Sequence, residues 1–374
     1  MKTSIKFFAS MFVLLAFEFA LAFEPRVISE VPVEGKAVHG DILKGKLALS
    51  SPQGFQILSS DGKQLYRASL GPNHGLVFSD DGGFFGIVTY SKGASPGFLA
   101  AERFELFSSD GKKLREIENP EVSAFYISNG ARFVVGISGG EGISESSLLF
   151  YNQDAKPSAK TTIKLLQGVT LSSDGKHVFV NSAKDGLLGF DDSGNLISSL
   201  GPCDKFALSS DGEYVATVSN GELKFYHQTK PSGNVLKMDA SVRAMSFSPD
   251  NKYLVVVDKK NLYLFDIGNG KLLWRHALDE PELCFISADV SSNAERTIAG
   301  IDFDKGRKVP PEERHTKGLV YVFDKDGKII WQRELSYELW GAFFPRAQLS
   351  ADGQRFSVTT REKVYLFDVG RTER

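Results

Sequence analysis

Residues 245–274, MSFSPDNKYLVVVDKKNLYLFDIGNGKLLW, hold four short apolar runs separated by Pro-Asp-Asn, Lys-Lys-Asn and Gly-Asn-Gly. Apolar positions that recur every second residue and stop this often predict β-strands joined by tight turns, not helices. One four-stranded sheet of this size cannot bury both faces by itself, so copies must pack face to face. Such copies recur along the chain at roughly 40-residue spacing, the period of a propeller blade.

The inner turn of the unit is Ser-x-Asp-Gly or a close variant. It stands at Ser79-Asp80-Asp81-Gly82, Ser128-Asn129-Gly130, Ser172-Ser173-Asp174-Gly175, Ser209-Ser210-Asp211-Gly212, Ser248-Pro249-Asp250-Asn251, Ser291-Ser292-Asn293 and Ser350-Ala351-Asp352-Gly353. The Asp or Asn side chain bonds backbone two residues on, and the Gly takes the positive φ that closes the hairpin. A second turn, between third and fourth strands, recurs around Gly62, Gly111, Gly194, Gly270 and Gly327. Two units deviate: the turn near Asp154 lacks its glycine, and the turn near Gly233 is longer.

The last unit, RAQLSADGQRFSVTTREKVYLFDVG, stops after its third strand, and RVISEVPV at residues 26–33 reads as a lone strand that completes it. The fold expected is therefore all-β: a single β-propeller of four-stranded antiparallel blades, closed by the N-terminal strand so that no free edge remains. KAVHGDIL at residues 36–43 must supply the innermost strand of the first blade. With it the ring has eight blades; if that segment is loop, it has seven.

The Ser-x-Asp-Gly turn followed by an alternating strand and a LYLFD-type strand resembles the WD40-like β-propellers. FDIGNGKLLWRHAL and YVFDKDGKIIWQREL resemble the repeats of quinoprotein-like (PQQ-type) propellers. That resemblance implies a Trp docked between neighbouring blades, which here means Trp274 and Trp331, with Tyr66 and Leu114 standing near that position in other blades. It concerns the fold, and propellers host unrelated functions.

Composition narrows the function. Of 374 residues, 36 are Gly and 29 Phe, which suits turn-rich β-structure, and 44 basic against 46 acidic residues give a net charge of -2. No block of like charge suggests nucleic acid or an anionic membrane surface as a partner. Residues 1–22 have a basic start at Lys2 and Lys6, an apolar run and Ala20-Leu21-Ala22 before Phe23. This pattern is a cleavable export signal, so residues 23–374 form the propeller domain, periplasmic or extracellular, with no membrane span after cleavage.

Function is expected on the face opposite the two recurring turns, where long loops at residues 91–102, 138–147 and 304–318 and the connections between blades lie. Binding-face candidates are His39, Asp41, His74, Glu121, Asp204, Arg243, Glu280, Glu282, Arg307, His315, Trp340 and Arg346. Their mixed charge suits a protein, peptide or glycan ligand, and the reading is an exported non-enzymatic binding or scaffold module. The alternative is an enzyme at the channel mouth, a lactonase-like hydrolase or a quinoprotein-like oxidoreductase. Gly136-Ile137-Ser138-Gly139-Gly140 matches GxSxG in letters only, since it closes a strand and no helix follows. The six histidines lack zinc spacing, no metal site is assigned and no cofactor is expected. Cys203 and Cys284 each stand near the start of an innermost strand with a whole blade between them. A disulfide needs α-carbons within about 7 Å, so both are expected free and partly buried.

Overall fold

The computed structural model describes residues 25–32, 41–43, 46–51, 54–59, 63–71, 73–79, 82–91, 101–118, 120, 122–131, 134–138, 144–152, 154–238, 241–303, 317–336, 346–360 and 363–369. The proposed export signal, His39, Glu121, Arg307, His315, Trp340 and most of the three long loops lie outside them.

Eight four-stranded antiparallel sheets follow one another along the chain. From innermost to outermost strand, blade 1 runs from Asp41–Leu43 to Gln64–Ser69, blade 2 from His74–Phe78 to Lys113–Glu118, and blade 3 from Ala124–Ile127 to Pro157–Lys164. Blade 4 runs from Leu166–Leu171 to Leu196–Ser199, blade 5 from Lys205–Leu208 to Lys230–Lys237, and blade 6 from Ala244–Phe247 to Lys271–Ala277. Blade 7 runs from Leu283–Val290 to Ile329–Ser336. Blade 8 begins at Arg346–Leu349, and its outermost strand is Arg26–Pro32 from the other end of the chain. Asp41–Leu43 is paired with Lys46–Ser51, so the eight-blade reading holds. Blade 1 meets the first two strands of blade 8, which closes the ring.

Alternation explains why both faces of each sheet are buried. In blade 6, Leu254, Val256, Tyr263 and Phe265 pack against blade 5, whereas Val255, Val257, Leu262 and Leu264 pack against blade 7. Each such side chain contributes about 1.5–3 kcal/mol relative to an exposed one. The closing strand pairs antiparallel with Lys363–Asp368, Val27 opposite Phe367 and Pro32 opposite Lys363. Val27 packs on the blade 7–8 core, and Glu30 meets Lys363 Nζ at 3.4 Å.

The inner turns share one chemistry. Ser172, Ser209, Ser248 and Ser350 are buried, and each hydroxyl donates to the Asp two residues on, at 2.6–2.7 Å. The same oxygens accept the amides of His177, Tyr214, Tyr253 and Arg355. Burial pushes the carboxyls of Asp174, Asp250 and Asp352 up, but these serine and backbone donors outweigh it and hold them below the usual aspartate value. The turns also bond one another from blade to blade: Asn129 N to Ser173 O, Ser173 N to Ser210 O, Ser210 N to Asn251 Oδ1, Asn293 N to Asp250 Oδ2 and Ser292 N to Ala351 O. One face of the propeller is thus stitched together by its own turns.

The interblade docking expected of Trp274 and Trp331 is present. Trp274 packs on Phe323 of blade 7 and donates Nε1–H to Lys325 O at 3.1 Å, and Trp331 packs on Phe356 and Phe367 of blade 8. Both rings remain partly exposed at the rim. Tyr66 does the same work between blades 1 and 2, against Phe55 and Phe85. Leu114 does not: it is 40% exposed, and the docking position of blade 2 is Arg115, which donates to Ala131 O of blade 3. The reason is a bulge in the outer hairpin, between Ile57 and Leu58, Leu106 and Phe107, Leu264 and Phe265, and Val322 and Phe323. It re-aims the residue four beyond the turn glycine toward the next blade.

In blade 3 the glycine of that turn is replaced by Ala155, which still takes the left-handed conformation at φ 61. Left-handed backbone costs an L-residue roughly 1–2 kcal/mol. Ala155→Gly is therefore expected to stabilise the protein, by up to about 1 kcal/mol after the extra freedom of glycine in the unfolded chain is subtracted. Chemical denaturation checks the sign; an unchanged or lower midpoint contradicts it.

Neither Cys203 nor Cys284 is in a disulfide, and both are buried, on either side of blade 6's innermost strand. Burial first, and Asp204 second, push the Cys203 thiol up to about 11. A thiol kept protonated in the fold but ionising near 9 when unfolded favours the folded state below pH 9, an advantage lost as pH rises from 9 toward 11. Titration of the non-reduced protein is expected to find two thiols after unfolding and slow reaction of Cys203 before it. Finding none after unfolding would mean a disulfide and a different blade order.

Candidate functional site

Strands alternate in direction, so the second-to-third loops and the blade-to-blade connections share the face opposite the stitched turns. The described candidates take their places around this loop face. Asp41, His74 and Arg346 open the innermost strands of blades 1, 2 and 8, while Asp204 and Arg243 directly precede those of blades 5 and 6. Glu280 and Glu282 are exposed on the connection from blade 6 to blade 7.

His74 Nδ1 lies 3.2 Å from Gly71 O, and Asp204 Oδ2 accepts the Asn220 amide at 3.2 Å. Arg243 Nη1 points at Cys284 Sγ, 3.6 Å away. Among the described residues no three His, Cys, Asp or Glu side chains come together as a group that could hold a metal ion. The described histidines outside the list are packed against the fold: His227 stacks on Tyr214, His276 meets Phe323 edge-on, and His177 lies under the Gly212 turn. Ser138 ends the strand Val134–Ser138 and is paired with Ser147, in an antiparallel sheet.

A dense polar network on this face is built around the Lys259-Lys260-Asn261 turn. Asp258 is fully buried in blade 6; its Oδ1 accepts the amides of Lys260 and Asn261 at 2.7 Å, and its Oδ2 accepts from Asn261 Nδ2 and the Tyr263 hydroxyl. Arg275 donates from two nitrogens to Asn261 Oδ1 and lies over the Tyr263 ring. Lys260 Nζ donates to the carbonyls of Glu280, Pro281 and Leu283, which ties the next connection down. Burial, and then Lys259, lower the pKa of this ammonium, and nearby Cys284 and Glu280 partly oppose the shift. Blade 6 is therefore closed at its loop-face end.

Blade 5 is not. Between it and blade 4, a cleft of about 270 Å³ is lined by Leu200 and Pro202 on one side and by Thr217, Ser219, Asn220, Glu222, Lys224 and Tyr226 on the other. A second groove, about 590 Å³, separates the outermost strand of blade 2 from the outer hairpin of blade 3 around Ala155. It borders Ala155, which stands where blade 7 has Gly327, the turn glycine against which Trp274 docks.

No protein-family model matches the sequence, and no curated protein matches it. Solved structures do match in shape. The C-terminal WD40 domain of Sif2 superposes with a TM-score of 0.60 at 12% identity, over 92% of this chain and 98% of that one. BamB from Moraxella catarrhalis gives 0.57 at 12% identity, over 92% and 100%, and a structure described as the eukaryotic initiation factor gives 0.55 at 12%, over 85% and 91%. At this identity the likeness establishes the β-propeller fold.

Proposed function

We propose that this propeller is an exported, non-enzymatic binding or scaffold module that takes a protein, peptide or glycan ligand on its loop face. The observation that carries the reading is the contrast between its two ends. The repeat keeps one chemistry at the turn face, where buried serines brace each turn from within and the turns bond one another from blade to blade. At the loop face the same repeat positions change from blade to blade: Ser219, Glu222 and Lys224 in blade 5 stand where blade 6 has Asp258, Asn261 and Tyr263. A rigid ring that varies its side chains at one end is suited to recognition. Export rests on the pattern of residues 1–22, with Phe23 as the first residue of the secreted form. No helix among the described residues is long and apolar enough to cross a membrane.

The reading separates cleanly from enzyme function at the channel mouth. Purified protein is expected to carry neither stoichiometric divalent metal nor quinone absorbance. One equivalent of either, lost on Asp204→Asn or Glu282→Gln substitution, would replace binding by catalysis.

A further inference from the structure

The blade 4–5 cleft has an internal control in the neighbouring blade. Thr217 pairs with Lys224, Ser219 with Glu222 and Val215 with Tyr226, so these side chains share one face of blade 5. Val215 and Tyr226 pack against Phe179, Leu187 and Leu200, which identifies that face as the one toward blade 4. The opposite face, with Ala216, Val218, Leu223 and Phe225, is wholly apolar and packs on blade 6. At the matching positions blade 6 turns Val256 and Tyr263 toward its neighbour and closes its upper end with the Asp258, Asn261 and Arg275 network. Blade 5 has polar groups instead, an open space above them and no counterpart of the Lys260 strap.

The loop above this space is also minimal. Asn220 and Gly221 both have positive φ, 52 and 74, which is the two-residue hairpin turn that leaves least chain over the sheet. Across the interface, Asn181 lies on the same face of blade 4 as Phe179. Its Nδ2 donates to Cys203 O at 3.2 Å, and its Oδ1 is buried with no hydrogen-bond partner among the described residues.

We infer that this cleft is a binding site for one uncharged sugar ring of a glycan. Charge argues for a neutral ligand: Glu222 and Lys224 are already paired at 3.2 Å, and Asp204 already accepts from Asn220. An ionic ligand would have to break one of these arrangements. The hydroxyls of Thr217, Ser219 and Tyr226 and the Asn220 amide accept from and donate to sugar hydroxyls, and the Glu222–Lys224 pair has further donors and acceptors to offer without being broken. Leu200, Pro202 and the Tyr226 ring supply an apolar wall for the C–H face of a pyranose. At about 270 Å³ the space falls below the roughly 300–1,000 Å³ of pockets for larger ligands, so it takes a single ring while the rest of the glycan projects from the loop face.

This inference deepens the binding reading and rests on it, so the experiment separates the two. Full-length secreted protein is titrated with glucose, mannose, galactose and N-acetylglucosamine, each as its methyl glycoside, and binding is followed by saturation-transfer NMR. At least one is expected to bind saturably. The affinity should fall about tenfold or more in Thr217→Val and in Lys224→Met, since each removes one polar partner of the sugar, and should not change in Lys325→Gln, on the opposite, turn face. Melting temperatures identify any variant that fails to fold, and the isosteric Thr217→Val guards against that outcome. Absence of saturable binding by all four sugars overturns the inference, as does binding that survives both cleft substitutions. Binding of a peptide in place of any sugar overturns it too, while leaving the loop face as a recognition surface.

Discussion

A chain that begins at Val33 instead of Phe23 is expected to lose its cooperative melting transition and to self-associate. The strand Arg26–Pro32 is the outermost strand of blade 8, and it alone covers the edge of Lys363–Asp368. Removing it bares a row of unpaired amides and carbonyls and withdraws Val27 from the blade 7–8 core. Partial burial of the strand's apolar side chains and net hydrogen bonds of about 1 kcal/mol each together amount to on the order of 5 kcal/mol. Domains are stable by only about 5–15 kcal/mol, so this is a large fraction of the whole. A long bare edge also templates pairing with another chain. Scanning calorimetry and size-exclusion chromatography check both effects, and a peptide of sequence RVISEVP added to the truncated protein is expected to restore part of the melting temperature. A truncated protein that melts as the complete one does would remove the closure from the account.

Gly327→Ala is expected to destabilise by about 2–5 kcal/mol, the sum of left-handed backbone strain of roughly 1–2 and overpacking of about 1–3. Its φ is +79, and an added Cβ would lie 2.7 Å from Cδ2 of the docked Trp274. Gly111→Ala meets Tyr66 in the same way between blades 1 and 2, at φ +87. Gly201 provides the comparison: its φ is +77, yet nothing lies within 4 Å of the Cβ site, so Gly201→Ala should cost only the backbone strain. In a double-mutant cycle Trp274→Ala should remove the overpacking part of the Gly327→Ala cost. Equal costs at Gly327 and Gly201 would mean that the Trp does not dock where described.

The architecture was legible because each blade writes its turns in the sequence. Ser-x-Asp-Gly and the outer glycine turn mark strand ends, and the count of complete units against the orphan strand at residues 26–33 leads to eight blades closed by the N-terminal segment. The docking position was only half legible. Leu114 stands three residues after its turn glycine, and the bulge in the outer hairpin moves the inward-facing place to the fourth, Arg115. That offset is shared by Tyr66, Trp274 and Trp331 and could have been read from those three residues. The loop face was less legible still. The sequence points to the connections between blades, but much of its chemistry lies on the second and third strands, at Thr217, Lys224 and Asn261, or directly after the second, at Asp258. Which of these face a neighbour depends on register across two strands and on what the next blade presents, and neither is a property of one stretch of sequence.

The claim that recognition belongs to the loop face is tested most directly by site-specific photocrosslinking in the native compartment. A photoreactive residue is placed singly at Asn220, Lys259 or Glu282 on the loop face, and at Asp192, Lys325 or Asp352 on the turn face. All six side chains are exposed. The account predicts adducts of discrete mass from loop-face positions and none from turn-face positions. Adducts confined to the turn face, or none from either, would contradict it.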